Sequence, residues 1–141
     1  MKVMQFPYVR YLVSPPGAKP ARFVYRPVIP VKLSLGRRAI TFEALVDSGA
    51  DECTFPAWIA KTLGRDVHKG SPRIFSGIGG SALAYRHRTG MEVDGVRFAV
   101  DVYYSHDWDD MPFGLLGQAG FFQYFDVDFR YRDRMLRLGQ R

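Results

Sequence analysis

Hydrophobic and polar residues alternate with a period of two along most of the chain from residue 28 onward. Ile29, Val31, Leu33 and Leu35 alternate with Pro30, Lys32 and Ser34, the pattern of a strand with one buried face. Gly36-Arg37-Arg38 turns the chain, and Ile40, Phe42, Ala44 and Val46 resume the alternation. Two strands are expected over Arg73–Phe75 and Leu83–Arg88, on either side of Ser76-Gly77-Ile78-Gly79-Gly80-Ser81. Met91–Val93 and Val96–Tyr104 form a hairpin about Asp94-Gly95, a strong two-residue turn signal. A closing hairpin places Val127, Phe129 and Tyr131 on one face and turns at Arg132-Asp133-Arg134.

Helical signals are short. Pro56 to Leu63 reads as one helix, with proline near its first turn and Gly64 just past its end, the usual asymmetry. A second short apolar helix is expected at Gly120–Tyr124, where Phe121, Phe122 and Phe125 share a helical spacing and read as core. Residues 1–26 hold Pro7, Pro15, Pro16, Pro20 and Gly17. They read as an irregular arm or a removable pro-segment, with a short strand over Tyr8–Val13. Residues 27–141 then form one all-β domain with two short helices, and no internal repeat or linker divides it.

Composition narrows the picture modestly. A chain of 141 residues, 47% hydrophobic and 24% charged, is an ordinary single globular domain. The net charge of +6 would suit a polyanion, but its basic residues are scattered, so no nucleic-acid partner is expected. The single cysteine, Cys53, excludes an intrachain disulfide and fits a reducing, cytoplasmic location; burial is the better reading of it than a nucleophile. Met1 to Tyr11 has Pro7 and the charges of Lys2 and Arg10 where a signal peptide needs an apolar core, and no membrane span is expected. His68, His87 and His106 share no ligand spacing, so no metal is expected. His106, Asp107, Asp109 and Asp110 read as a solvated loop. Trp58 belongs to the apolar face of the first helix and Trp108 to that loop.

Chemistry concentrates in one run, Ala44-Leu-Val-Asp-Ser-Gly-Ala-Asp51. It delivers the carboxylate of Asp47 at the end of a strand, with the Ser48 hydroxyl and Gly49 directly after it. All three are turn formers, so a surface turn is the plain alternative. The functional reading follows from what peptide hydrolysis needs: a base to take a proton from water and an acid to protonate the carbonyl oxygen. Two adjacent carboxylates sharing one proton do both. The run occurs once, so the second carboxylate would come from a second copy of the chain.

The order of pieces resembles the retropepsins, the single-domain retroviral-type aspartic proteases, and the closing hairpin looks more like their cellular and prokaryotic relatives. Three blocks carry the likeness: Leu45-Val-Asp-Ser-Gly-Ala-Asp51, Gly77-Ile-Gly-Gly80 between two strands, and Gly114-Leu-Leu-Gly117. The resemblance implies a closed β-barrel, one acid-protease half, assembled as a homodimer. It implies that Asp47 is the catalytic carboxylate, Ser48 an interlocking hydroxyl and Gly49 a backbone contact to a polypeptide substrate. Ala50 and Asp51 would line the cleft, and Gly77, Ile78, Gly79 and Gly80 would form a flap over it. Water is the nucleophile in such enzymes, so no cofactor is implied. Gln118 departs from the arginine usual after this glycine, so support for the loop or the dimer must differ. A catalytically silent relative, serving as a peptide-binding or assembly module, is the rival reading. Gly77 to Ala82 also fits G-x-G-x-x-A, but the residues after it lack the helical period a dinucleotide site requires.

Overall fold

The period-two stretches become strands wrapped into a closed ladder. The computed structural model describes residues 2–77 and 79–141. Its strands are β1 (Lys2–Pro7), β2 (Val9–Leu12), β3 (Phe23–Arg26), β4 (Val28–Leu35), β5 (Arg38–Val46), β6 (Thr54–Pro56), β7 (Ser71–Gly77), β8 (Gly80–Val93), β9 (Val96–Ser105), β10 (Gly114–Leu116), β11 (Asp126–Arg130) and β12 (Met135–Gln140). One short helix, α1 (Ala57–Thr62), follows β6. Strands β4-β5-β10-β6-β9-β8 bond in that order, and β8 returns to β4 through Lys32↔Glu92, Leu33↔Met91 and Ser34↔Gly90. That last pairing closes the barrel, and a closed barrel has no edge to protect. Gly90 sits where the two strands press together: a Cβ there would lie 2.4 Å from Ser34 Oγ.

Alternate positions fill the barrel. Ile29, Val31 and Leu33 from β4 are buried with Phe55, Ile59, Tyr104 and Leu116, while Pro30 and Lys32 face out. Asp94 (φ 45°) and Gly95 (φ 84°) both adopt positive φ, as the expected two-residue turn between β8 and β9 demands. Beyond the barrel, β1-β12-β11 form a separate sheet and β2-β3 a hairpin. No helix among the described residues is long and apolar enough to cross a membrane.

Three local expectations are corrected. Residues 2–26 are irregular only over 13–22: β2 falls within the strand expected over Tyr8–Val13, and an unexpected β1 pairs along its whole length with β12, from Lys2↔Gln140 to Pro7↔Met135, with Met4 buried there. The prolines fall at or between strand ends, where no ladder bond is lost. Gly120–Tyr124 forms turns instead of a helix, with Gly120 at φ 97°. Phe121 and Phe125 are nevertheless buried and Phe122 packs against the core, so burial was readable where conformation was not. In the closing hairpin, Tyr131 lies in a 3-10 turn and Phe129 and Tyr131 are exposed. Leu136 and Leu138 of β12 supply the buried face. Trp58 on α1 is partly exposed and meets the Phe42 ring edge-on at 5.5 Å.

Candidate active site

Asp47 stands one residue past β5, half-buried at the barrel end. Both edges of the chain are held there. Val46 N–H donates to Pro27 O at 2.9 Å and Asp47 N–H to Leu116 O at 3.0 Å. The loop then closes on itself. Ala50 N–H donates to Asp47 O at 3.1 Å, and Gly49 N–H donates to the carboxylate, Asp47 Oδ1, at 2.9 Å. A carboxylate accepting from its own loop backbone is fixed in direction before any substrate arrives. Ser48, Gly49 and Asp51 are exposed and Ala50 is half-buried.

The segment after β10 braces the loop from below. β10 runs parallel to β5, Gly114↔Ala44 to Leu116↔Val46, and is wedged between β5 and β6. Past its end, Gln118 N–H donates to Ala50 O and Ala119 N–H to Asp51 O, both at 2.9 Å. The two glycines of Gly114-Leu-Leu-Gly117 have steric reasons. A Cβ on Gly114 would meet the Phe55 ring at 2.5 Å, and one on Gly117 would meet Glu52 O at 2.4 Å and Ala50 O at 2.6 Å. Gln118 answers the departure noted in the sequence, since its Nε2 donates to Ser48 O at 3.1 Å. A neutral amide thus ties down the loop. Cys53 lies beneath, fully buried, with Sγ 3.6 Å from Ala119 O. Burial pushes its thiol up to about 12, so it is no nucleophile.

Opposite the loop, β7 and β8 form a hairpin paired from Ser71↔Arg86 to Gly77↔Gly80. Gly77, Gly79 and Gly80 are exposed, and Gly80 has φ 120°; Ile78 lies outside the described residues. The glycine run leads directly into strand β8 where a dinucleotide site needs a helix, so that site is not formed. Between loop and hairpin lies a cleft of about 200 Å³. Gly49, Ala50 and Asp51 form one wall, and Phe75, Ser76, Ala82 and Ala84 the other. Leu115, Ser105 and Trp108 complete it. Asp47, Ser48 and the glycines Gly77, Gly79 and Gly80 do not line this cleft within one chain.

Several of these residues were not singled out from sequence. Phe75 and Ala82 occupy inward positions of a period-two hairpin, a signal that was present. Trp108, a large aromatic amid Asp107, Asp109 and Asp110, was another; its Nε1 donates to Phe113 O at 2.9 Å. Arg73 carried no signal. It joins the hairpin to the residue after the loop, with Nη1 3.0 Å from Glu52 Oε1 and its guanidinium 4.5 Å over the Phe75 ring. The pair is partly exposed, so water and salt screen it and it orients the two elements more than it stabilises them. His68 and His106 stack at 5.2 Å, each beside a carboxylate, Asp66 at 3.7 Å and Asp109 at 3.2 Å. No group of three or more metal-ligating side chains is found among the described residues.

Comparisons with known proteins agree with this geometry. Residues 29–119 match the family model described as aspartyl protease. No curated protein matches the chain. Among solved structures, the fold is similar to a retropepsin-like aspartic protease from Rickettsia conorii, with a TM-score of 0.58 and 20% identity, over 79% of this chain and 89% of that one. It is also similar to the EIAV protease complexed with the inhibitor HBY-793, with a TM-score of 0.50 and 18% identity, over 74% of this chain and 88% of that one.

Proposed function

Because the chain belongs to the aspartyl protease family, we propose that it is an aspartic endopeptidase in which two copies each contribute Asp47. The carrying observation is the single carboxylate, half-buried at the barrel end and held by Gly49 N–H at 2.9 Å in a braced loop. One carboxylate cannot be base and acid at once. In the dimer, one ionised Asp47 takes a proton from water, and the oxygen attacks the peptide carbonyl carbon. The protonated Asp47 of the second copy gives its proton to the carbonyl oxygen. The Asp47 that took the water proton then gives it to the leaving nitrogen while the other Asp47 takes a proton back from a diol hydroxyl, so the carbonyl reforms, the C–N bond breaks and the pair again shares one proton. Ser48 and Gly49 hold the loop and meet the substrate backbone. Ala50 and Asp51 form a subsite wall, and Gly77 to Gly80 close over an extended peptide. The mostly apolar cleft beside Phe75, Leu115 and Trp108 accepts one side chain of that peptide.

The mechanism ties activity to association. Specific activity on a denatured protein substrate should fall on dilution through the dimer dissociation constant, in step with the mass measured by light scattering. A monomer as active per chain as the concentrated protein is incompatible with a shared active site.

The flap has its own test. Gly80 has φ 120° with open space around it, so valine there is penalised by backbone conformation and not by crowding. Gly80→Val should lower kcat/KM at least about tenfold, because closure positions the peptide and excludes water, while Tm changes by only a few degrees. Full turnover in this variant would remove the glycines from the lid.

A further inference from the structure

Strand β8 changes partners along its length. It pairs with β9 from Tyr85↔Tyr104 to Val93↔Val96, and with β7 from Ser71↔Arg86 to Gly77↔Gly80. From Ala84 back to Gly80 it has therefore lost β9 and keeps only β7. A two-stranded ribbon is marginal by itself in water, and this one is mostly exposed, Ile74 at 68%. One residue into that stretch, Leu83 regains a partner on the vacated edge. Its N–H donates to Asp107 Oδ2 at 3.0 Å, and its carbonyl accepts from Ser105 Oγ at 2.7 Å. Ser105 Oγ also accepts from Asp107 N–H at 3.2 Å, so the three residues close a ring of hydrogen bonds. Ser105 is fully buried, whereas Leu83 is 42% exposed. The hold on Leu83 is thus on its backbone.

We propose that Ser105 and Asp107 are positioning residues that clamp Leu83 and fix the point where the β7–β8 hairpin bends away from the barrel. The proposal rests on the flap reading above. The clamp substitutes two side chains for the absent strand and ends the free ribbon at Ala82. Without it, the ribbon lengthens to Ala84, and its swing over the cleft is less directed. Ser105 and Trp108 line the cleft, so the segment that sets the hinge also forms the wall the hairpin closes upon.

Asp107 is exposed, so Asp107→Ala should fold. Amide hydrogen exchange in the intact protein should show Leu83 and the hairpin amides from Ile74 to Ala82 exchanging about tenfold faster. The β4–β5 ladder should keep its wild-type rates. Asp107→Asn, whose amide oxygen still accepts from Leu83 N–H, should restore protection. Because the loss acts on the fraction of chains with a competent flap, KM should rise about tenfold with kcat little changed. Wild-type exchange at Leu83 in Asp107→Ala would overturn the clamp, as would acceleration spread evenly through β4 and β5. A fall in kcat at constant KM would overturn the positioning role. Exchange needs no substrate, so it decides the clamp even if no peptide is cleaved.

Discussion

Asp47→Asn should leave the chain folded and reduce peptide cleavage by about 10³-fold or more, since acid–base catalysis of this kind contributes roughly 10²–10⁴. The fold should survive because the amide oxygen of asparagine can take over the bond from Gly49 N–H now made to Asp47 Oδ1. Nothing in the loop is left unpaired, and the melting temperature should stay within a few degrees of wild type. Chemistry is lost because an amide neither takes a proton from water nor delivers one to the carbonyl oxygen. The variant should also act in trans. Mixed with a fixed amount of wild type and re-equilibrated, an equal amount should cut activity to about half, and threefold excess to about a quarter, by random pairing. Full activity in Asp47→Asn would remove Asp47 from the mechanism. Loss in the variant alone, with no effect on mixed wild type, would place both catalytic groups in one chain.

Much of the fold was legible wherever local pattern and turn chemistry agreed. β4, β5 and the turn at Asp94-Gly95 appear where period two and the turn residues place them. The loop at Asp47 was legible for the same reason: an alternating strand hands over to three residues that favour turns. What was hidden depends on partners distant in sequence. Nothing in Lys2–Pro7 announces that its ladder lies at Met135–Gln140. Nor does the short apolar pair Leu115-Leu116 announce a strand wedged between β5 and β6. Three residues are too few to display a period. The closure of β4 on β8 likewise has no local mark except Gly90, whose reason appears only when Ser34 arrives beside it. The hold of Gln118 on Ser48 O and of Asp107 on Leu83 N–H belongs to the same class. A polar side chain in a loop looks solvated until its partner is known.

Gly117→Ala should damage the molecule more than any other single methyl group added near the site. Gly117 does not have positive φ, so backbone preference does not argue against alanine. Space does. The new Cβ would lie 2.4 Å from Glu52 O and 2.6 Å from Ala50 O, and both are backbone atoms that cannot rotate aside. Relief requires pushing β10 and the Asp47 loop apart, and that seam carries Gln118 N–H to Ala50 O and Ala119 N–H to Asp51 O. Overpacking of this sort costs about 1–3 kcal/mol before the strained hydrogen bonds are counted, and each of those adds about 1 kcal/mol. For a chain of this size, thermal unfolding should move down by about 10 °C or more. Activity measured well below the new Tm should still be about tenfold or more beneath wild type, because the displaced loop carries Asp47. Gly79→Ala is the natural control, since a Cβ there meets nothing within 4 Å and its Tm should hold. A Gly117→Ala protein with unchanged Tm and unchanged turnover would show that the seam between β10 and the loop does not set the position of Asp47.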